Sequence, residues 1–129
     1  MSDQISLLNI PLAAAADLSA KQYKFMKLSD DKTVNVCGAG EAMIGVLQND
    51  PDAAGKSAEV MVYGVTNLVA GGTITVGAPL KSDSNGDAVV SSSDDEIFGA
   101  IALEAAVDND VFSALLVGGF SYFSGSGDD

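Results

Sequence analysis

From Gln22 to Val117 no apolar run lasts more than a few residues before Gly, Asp, Asn or Ser interrupts it. A core-facing helix needs about ten or more residues of unbroken 3.6-residue periodicity, whereas short apolar runs bounded by turn formers suit strands. The punctuation predicts strands over Gln22–Leu28, Thr33–Val36, Ala42–Gln48, Glu59–Val65, Thr73–Val76, Ala88–Val90, Ile97–Glu104, Val111–Val117 and Phe120–Phe123. The fold class is therefore all-β, a small compact β-barrel or β-sandwich with short hairpins and little helix. Asn85-Gly86 supplies the dipeptide of a type I′ hairpin turn, with positive φ at both central positions. Helix is confined to one or two turns within Leu12–Ala20, after Pro11, and Glu41–Asn49 fits either helix or strand.

Sliding the chain on itself by 54 residues sets Met26-Lys27 on Leu80-Lys81, Val36 on Val90, Ile44-Gly45 on Phe98-Gly99 and Met61–Gly64 on Leu115–Gly118. Few residues are identical, but apolar runs and glycines recur in the same order. An internal duplication of a β-unit would produce that order. The strand pattern places Val34, Val36, Ile44, Val46, Val60, Val62, Leu115 and Val117 on faces that contribute to one core.

Charge narrows the partners. Eighteen acids against six lysines, with no arginine, give a net charge of −12 over 129 residues. That field repels nucleic acid and anionic membrane, and no side chain offers the bidentate fork that grips phosphate. With no histidine and one cysteine, Cys37, zinc-ligand sets are missing, no intrachain disulfide forms, and a buried thiol is expected. The first 20 residues lack a basic segment and are broken by Asn9 and Pro11, which makes a poor secretory signal. No run approaches the roughly 18 apolar residues of a membrane span.

Candidate chemical motifs dissolve on inspection. Gly55-Lys56-Ser57 ends like a phosphate-binding loop, but Asp50 stands where the first glycine belongs and a strand pattern follows instead of a helix. Gly38 and Gly40 begin a dinucleotide fingerprint that fails at Met43. Asp83, Asn85 and Asp87 alternate like calcium ligands, without the closing glutamate. Lys27 beside Met26 faintly matches the lysine of a biotin or lipoyl carrier, but lies within a strand pattern rather than at a turn. The acidic pairs Asp30-Asp31 and Asp94-Asp95 sit in polar turns, and no base titrates near neutrality. The chain reads as a non-enzyme without cofactor, metal or catalytic residues.

Three pieces carry a resemblance: "IGVLQNDP" at Ile44–Pro51, "VAGGTITVGAPLKSD" at Val69–Asp83 and "GAIALEAA" at Gly99–Ala106. From about Asp17 to Phe120 the chain resembles the capsid decoration, or head cement, proteins of tailed bacteriophages. The resemblance implies a β-rich structural virion protein, commonly trimeric, that binds the outer surface of the head and stabilises contacts between major capsid protein subunits. It places the protein on the virion, and in host cytoplasm during assembly. The competing class is a carbohydrate-binding or adhesin-like β-sandwich, with Tyr63, Tyr122 and Phe123 as a stacking platform.

The organisation expected is an N-terminal arm over residues 1–16, a β-rich decoration domain over 17–123 and a disordered polar tail over 124–129. The arm is uncharged from Gln4 to Ala16 and carries Ile5, Leu7, Leu8, Ile10 and Leu12. It would either pack as a strand of its own barrel or lie across a capsid subunit. Lys21, Lys24, Lys27 and Lys32, four of the six lysines, fall in one short segment. These nine side chains are the candidate capsid or subunit contacts.

Overall fold

The computed structural model of the chain describes residues 5–91 and 97–122. Within them nine strands form one sheet: β1 (Ile5–Ala14), β2 (Phe25–Asp30), β3 (Thr33–Val36), β4 (Gly45–Leu47), β5 (Ser57–Val69), β6 (Pro79–Ser82), β7 (Ala88–Val90), β8 (Ile97–Ala102) and β9 (Val111–Tyr122). The described residues contain no helix. Leu12–Ala14 ends β1 rather than starting a helical turn, because β1 finds a partner along its whole length.

β5 is the pivot. One edge pairs with β1, from Ile5↔Val65 to Ala13↔Ser57. The other pairs first with β4 at Leu47↔Val60 and Val46↔Met61, then with β9 from Tyr63↔Val117 to Val69↔Val111. Strands β1, β3, β2, β4 and β5 thus close a barrel, sealed by the parallel pairs Ala13↔Thr33 and Ala14↔Val34. Strands β5, β9, β8, β6 and β7 form a second ring, sealed by one parallel bridge, Ala70↔Ala88, and by the Gly71 amide donating to the Ala88 carbonyl at 2.8 Å. In the β1–β5 register Leu8 faces Tyr63 and Asn9 faces Met61, leaving Val62 unopposed. This bulge turns β5 over. Ala58 and Val60 consequently fill the first barrel, and Thr66 and Leu68 the second.

The two rings are copies. Met26↔Val36 recurs as Leu80↔Val90 and Leu28↔Val34 as Ser82↔Ala88, both displaced by 54 residues. Backbone hydrogen bonds outside the ladders recur too. Tyr23 donates to Leu47 at 2.8 Å as Gly77 does to Ala102, and Gly55 to Ala14 at 2.8 Å as Asn109 does to Ala70. Even the left-handed positions match: Tyr23 with Gly77, Lys32 with Gly86, and Gly55 with Asn109. The 54-residue echo in the sequence is therefore a real duplication, with β5 serving as last strand of one unit and first strand of the next. The offset drifts locally: Val46 and Leu47 match Ile101 and Ala102, one place beyond 54, across a register shift between Phe98 and Ala100, and Ala14 matches Ala70, two places beyond.

Two hydrophobic clusters replace the single core expected. Ala14, Leu18, Met26, Val34, Leu47, Ala58 and Val60 fill the first barrel, with Val36, Ile44 and Val62 packed partly buried against them. Their counterparts Ala70, Ile74, Leu80, Ala88, Ala102, Phe112 and Ala114 fill the second. Leu115, expected inside, points outward. The second cluster also takes in Phe25, Cys37, Met43, Val46 and Met61 from the first unit. The outer face of the first barrel thus plugs the mouth of the second.

Glycine is required where strands touch. A Cβ on Gly45 would run into the Met61 carbonyl oxygen and lie 2.7 Å from Val60 Cγ1, so β4 could not approach β5 with any other residue.

The Asp83–Asp87 turn differs from the type I′ expectation. Only Gly86 has positive φ, at +79°, because the Asp83 carboxylate accepts from the amides of Asn85 at 2.8 Å and Asp87 at 3.0 Å and organises a longer turn. Thr73–Val76 is not a strand: only Ile74 makes a bridge, to Ala106. Of the expected arm over residues 1–16, Ile5–Ala14 form β1, the strand alternative, and the Ala14 carbonyl accepts from Gly55 at 2.8 Å; residues 1–4 lie outside the described residues.

Candidate interaction surface

The joint between the barrels shows what one of their outer faces requires. A row of directly paired residues, Phe25↔Val46↔Met61, crosses β2, β4 and β5 on the outside of the first barrel. Its members are only 0%, 0% and 1% exposed, because the second barrel covers them. The β6–β7 turn seats on this region: the Phe25 amide donates to the Gly86 carbonyl at 2.9 Å, Gly40 donates to Ser82 at 3.1 Å, and Lys24 pairs with Asp87 at 2.9 Å. Buried Thr66 is satisfied there by the Gln48 amide at 2.8 Å.

The equivalent row on the second barrel is Pro79↔Ile101↔Leu115, continued by Val65. It is less buried than its counterpart: Pro79, Ile101 and Val65 are half-buried. Leu115 is 37% exposed, and Leu103 and Val111 beside it are more so. At the opposite end, the mouth of the first barrel is less sealed than that of the second. Ile10, Leu12 and Val62 are only partly buried, whereas their counterparts Thr66, Leu68 and Leu116 are sealed. Charge divides the same way. Residues 1–56 carry seven acids and five lysines, a net −2, and residues 57–129 carry eleven acids and one lysine, a net −10.

The nine contact residues expected from the sequence fall into two groups. Ile5, Leu7, Leu8, Ile10 and Leu12 lie on β1, where Leu8 is exposed and Ile10 and Leu12 lean on the first core. Among the described strands, β1 pairs with β5 from Ile5 to Ala13 and with β3 at Ala13 and Ala14. Of the lysines, Lys24 is engaged by Asp87, Lys27 pairs with Glu41 at 2.9 Å, Lys21 is half-buried, and Lys32 stands exposed at a left-handed turn residue.

The residues of the candidate chemical motifs are engaged in local pairings. Among the described residues no three His, Cys, Asp or Glu side chains gather as metal ligands. Asp83 is occupied by its own turn, and Lys56 of the loop-like Gly55-Lys56-Ser57 pairs with Asp52 at 2.7 Å. That pair holds the Asp52 carboxyl below its usual range and raises Lys56. Gly38 and Gly40 form a turn in which the Glu41 carboxylate accepts from the Gly38 amide at 2.6 Å. The Lys27 hydrogen bond and that amide together lower the Glu41 carboxyl. Burial pushes the Cys37 thiol up to about 12, which leaves it inert. Of the stacking platform, Tyr63 and Tyr122 lie apart along the sheet. Tyr63 pairs with Val117, five residues along β9 from Tyr122, a spacing of about 17 Å at strand rise. Phe123, the Asp94-Asp95 pair and the tail over 124–129 lie outside the described residues.

Comparison with known proteins decides between the remaining classes. A family described as phage cement protein matches residues 1–117, across both barrels. The chain belongs to the phage cement protein family. Its role is accordingly that of a structural, decorating protein of the phage head. Among curated proteins none matches the chain. Its fold is similar to that of a solved structure, the head fiber gp8.5 N base in bacteriophage phi29, with a TM-score of 0.69 at 16% identity over 87% of this chain and 95% of that one. At that identity the likeness establishes a shared fold.

The partly exposed row and the less sealed mouth were not found from the sequence. The one available signal was the repeat, because Phe25, Val46 and Met61 align with Pro79, Ile101 and Leu115, and only one of the two rows can be covered by the chain itself.

Proposed function

We propose that the protein binds the outer surface of a phage head as a homo-oligomer, a trimer in the simplest case, and clamps adjacent major capsid protein subunits without performing chemistry. The family match across both barrels carries this reading. Exposed Leu8 on β1 supports it, because a capsid segment laid along β1 would meet an apolar side chain there. Lys21 and Lys32 are the cations best placed to meet an acidic capsid patch, since Lys24 and Lys27 already have partners within the chain. Nucleic acid and membrane are not partners, in keeping with the net charge of −12. The protein acts on the virion and folds in the host cytoplasm before it docks.

The test is co-sedimentation of purified protein with undecorated heads of the source phage. Binding should saturate at a fixed ratio to the major capsid protein and raise the temperature at which heads rupture. Leu8→Asp should weaken it while leaving the melting temperature of the free protein unchanged. Absence of saturable binding would overturn the proposal.

A further inference from the structure

We infer that the partly exposed row Pro79, Ile101 and Leu115 of the second barrel is the seat of a second copy of this chain, whose less sealed first barrel docks on it head to tail. The inference rests on the homo-oligomeric part of the function proposed above and is independent of capsid binding.

The chain contains its own precedent. The outer row of the first barrel is buried because it plugs the mouth of the second, so a face of this kind is closed by a barrel of this kind. The duplicated unit necessarily leaves one outer row and one mouth without an internal mate, and both are less buried than their counterparts. The row is Pro79, Ile101 and Leu115; the mouth is lined by Ile10, Leu12 and Val62. They lie on different units, so one chain's row meets the next chain's mouth. Such a heterologous contact closes into a ring when its rotation allows.

Charge favours the same polarity. Head-to-tail docking brings the −10 unit of one copy against the −2 unit of the next, whereas a symmetric contact between two open rows would bring −10 against −10.

The intermolecular joint is looser than the internal one. Pro79 replaces Phe25 and has no amide to donate, and Lys32 replaces Gly86, whose missing Cβ lets the turn sit against Val36. The Lys24–Asp87 ion pair maps onto Ala78 and Thr33 and is lost. The contact that remains is apolar side chain against apolar side chain, suited to subunits that associate rather than to a covalent tandem.

Analytical ultracentrifugation of the isolated protein, with no heads present, reads the association. The wild type should form a species whose mass is a multiple of the 13.0 kDa chain. Leu115→Asp and Leu103→Asp place a carboxylate on or beside the row at exposed positions, so they should fold and weaken association roughly thirtyfold or more. Diluting the wild type should shift the methyl resonances of Leu12 and Val62, which line the mouth, as well as that of Leu115. A wild type that stays monomeric, or both variants associating normally, would overturn the inference. So would methyl shifts confined to the row, since the contact would then be symmetric. Variants that remain oligomeric but lose binding to heads would assign the row to the capsid, which overturns the inference and leaves decoration standing.

Discussion

Replacing Gly86 with alanine should loosen the joint between the barrels, and the repeat supplies the controls. Gly86 has φ +79° and Gly77 has φ +81°, so both substitutions force a Cβ into the left-handed region. That costs about 1–2 kcal/mol, offset by roughly 0.4–1 kcal/mol from the stiffer unfolded chain. Around Gly77 a new Cβ meets nothing within 4 Å. At Gly86 it would collide with Val36 Cγ2 and come within 3.2 Å of the Phe25 carbonyl oxygen and 3.3 Å of Lys24 Cβ. Overpacking of this kind adds about 1–3 kcal/mol, because the Phe25 carbonyl is held in the sheet and Val36 leans on the first core. Lys32, the counterpart of Gly86, carries a side chain at φ +47°, which shows that the turn itself tolerates one when no second barrel lies above it. Urea unfolding should therefore give a loss of about 1 kcal/mol for Gly77→Ala and about 2–4 kcal/mol for Gly86→Ala. For a chain of 129 residues these losses correspond to falls in melting temperature of about 4 °C and about 10 °C. Equal losses at the two positions would refute the packed joint, since backbone strain alone would then account for both.

Three further outcomes follow from the side chains. Cys37 should resist thiol reagents at pH 8 in the folded protein and react on unfolding. Because its folded pKa is raised from 9.0 to about 12, the unfolded state ionises first and stability should fall by about 1.4 kcal/mol per unit as pH rises between those values, a slope absent in Cys37→Ala. Glu41 is lowered from 4.5, so its contribution is present above that value and lost as pH falls through its folded pKa. Glu41→Gln should flatten that part of an acid titration followed by circular dichroism. Chelators should leave the melting temperature unchanged, since the Asp83 carboxylate is satisfied by its own turn and Asp87 is paired with Lys24; a large fall would show a structural cation.

Much of the fold was legible because turn chemistry and β-branched runs are local signals. Thr33–Val36 and Ala88–Val90 emerge with the expected bounds, and the order of apolar runs disclosed the duplication. β1 was ambiguous because Asn9, Pro11 and an alanine run disguise a strand; an edge strand tolerates them, and its partner β5 lies some fifty residues away. Thr73–Val76 misled because β-branched residues suggested a strand where the flanking glycines leave room for one bridge. Leu115 was assigned inward by simple alternation, but the bulge at Val62 turns β5 over and carries β9 into the second ring. The interaction surface was less legible still. Whether an apolar row is core or contact depends on what covers it, and the same pattern is covered at Met61 and partly exposed at Leu115.

The central claim, a structural clamp on the phage head, is tested most directly by cryo-electron microscopy of heads from the source phage with and without the protein. Two-lobed density, one lobe per barrel, is expected on the outer surface at lattice positions bridging neighbouring major capsid protein subunits, and absent from heads that lack the protein. Density confined to the interior or the tail, or identical reconstructions from both preparations, would contradict it.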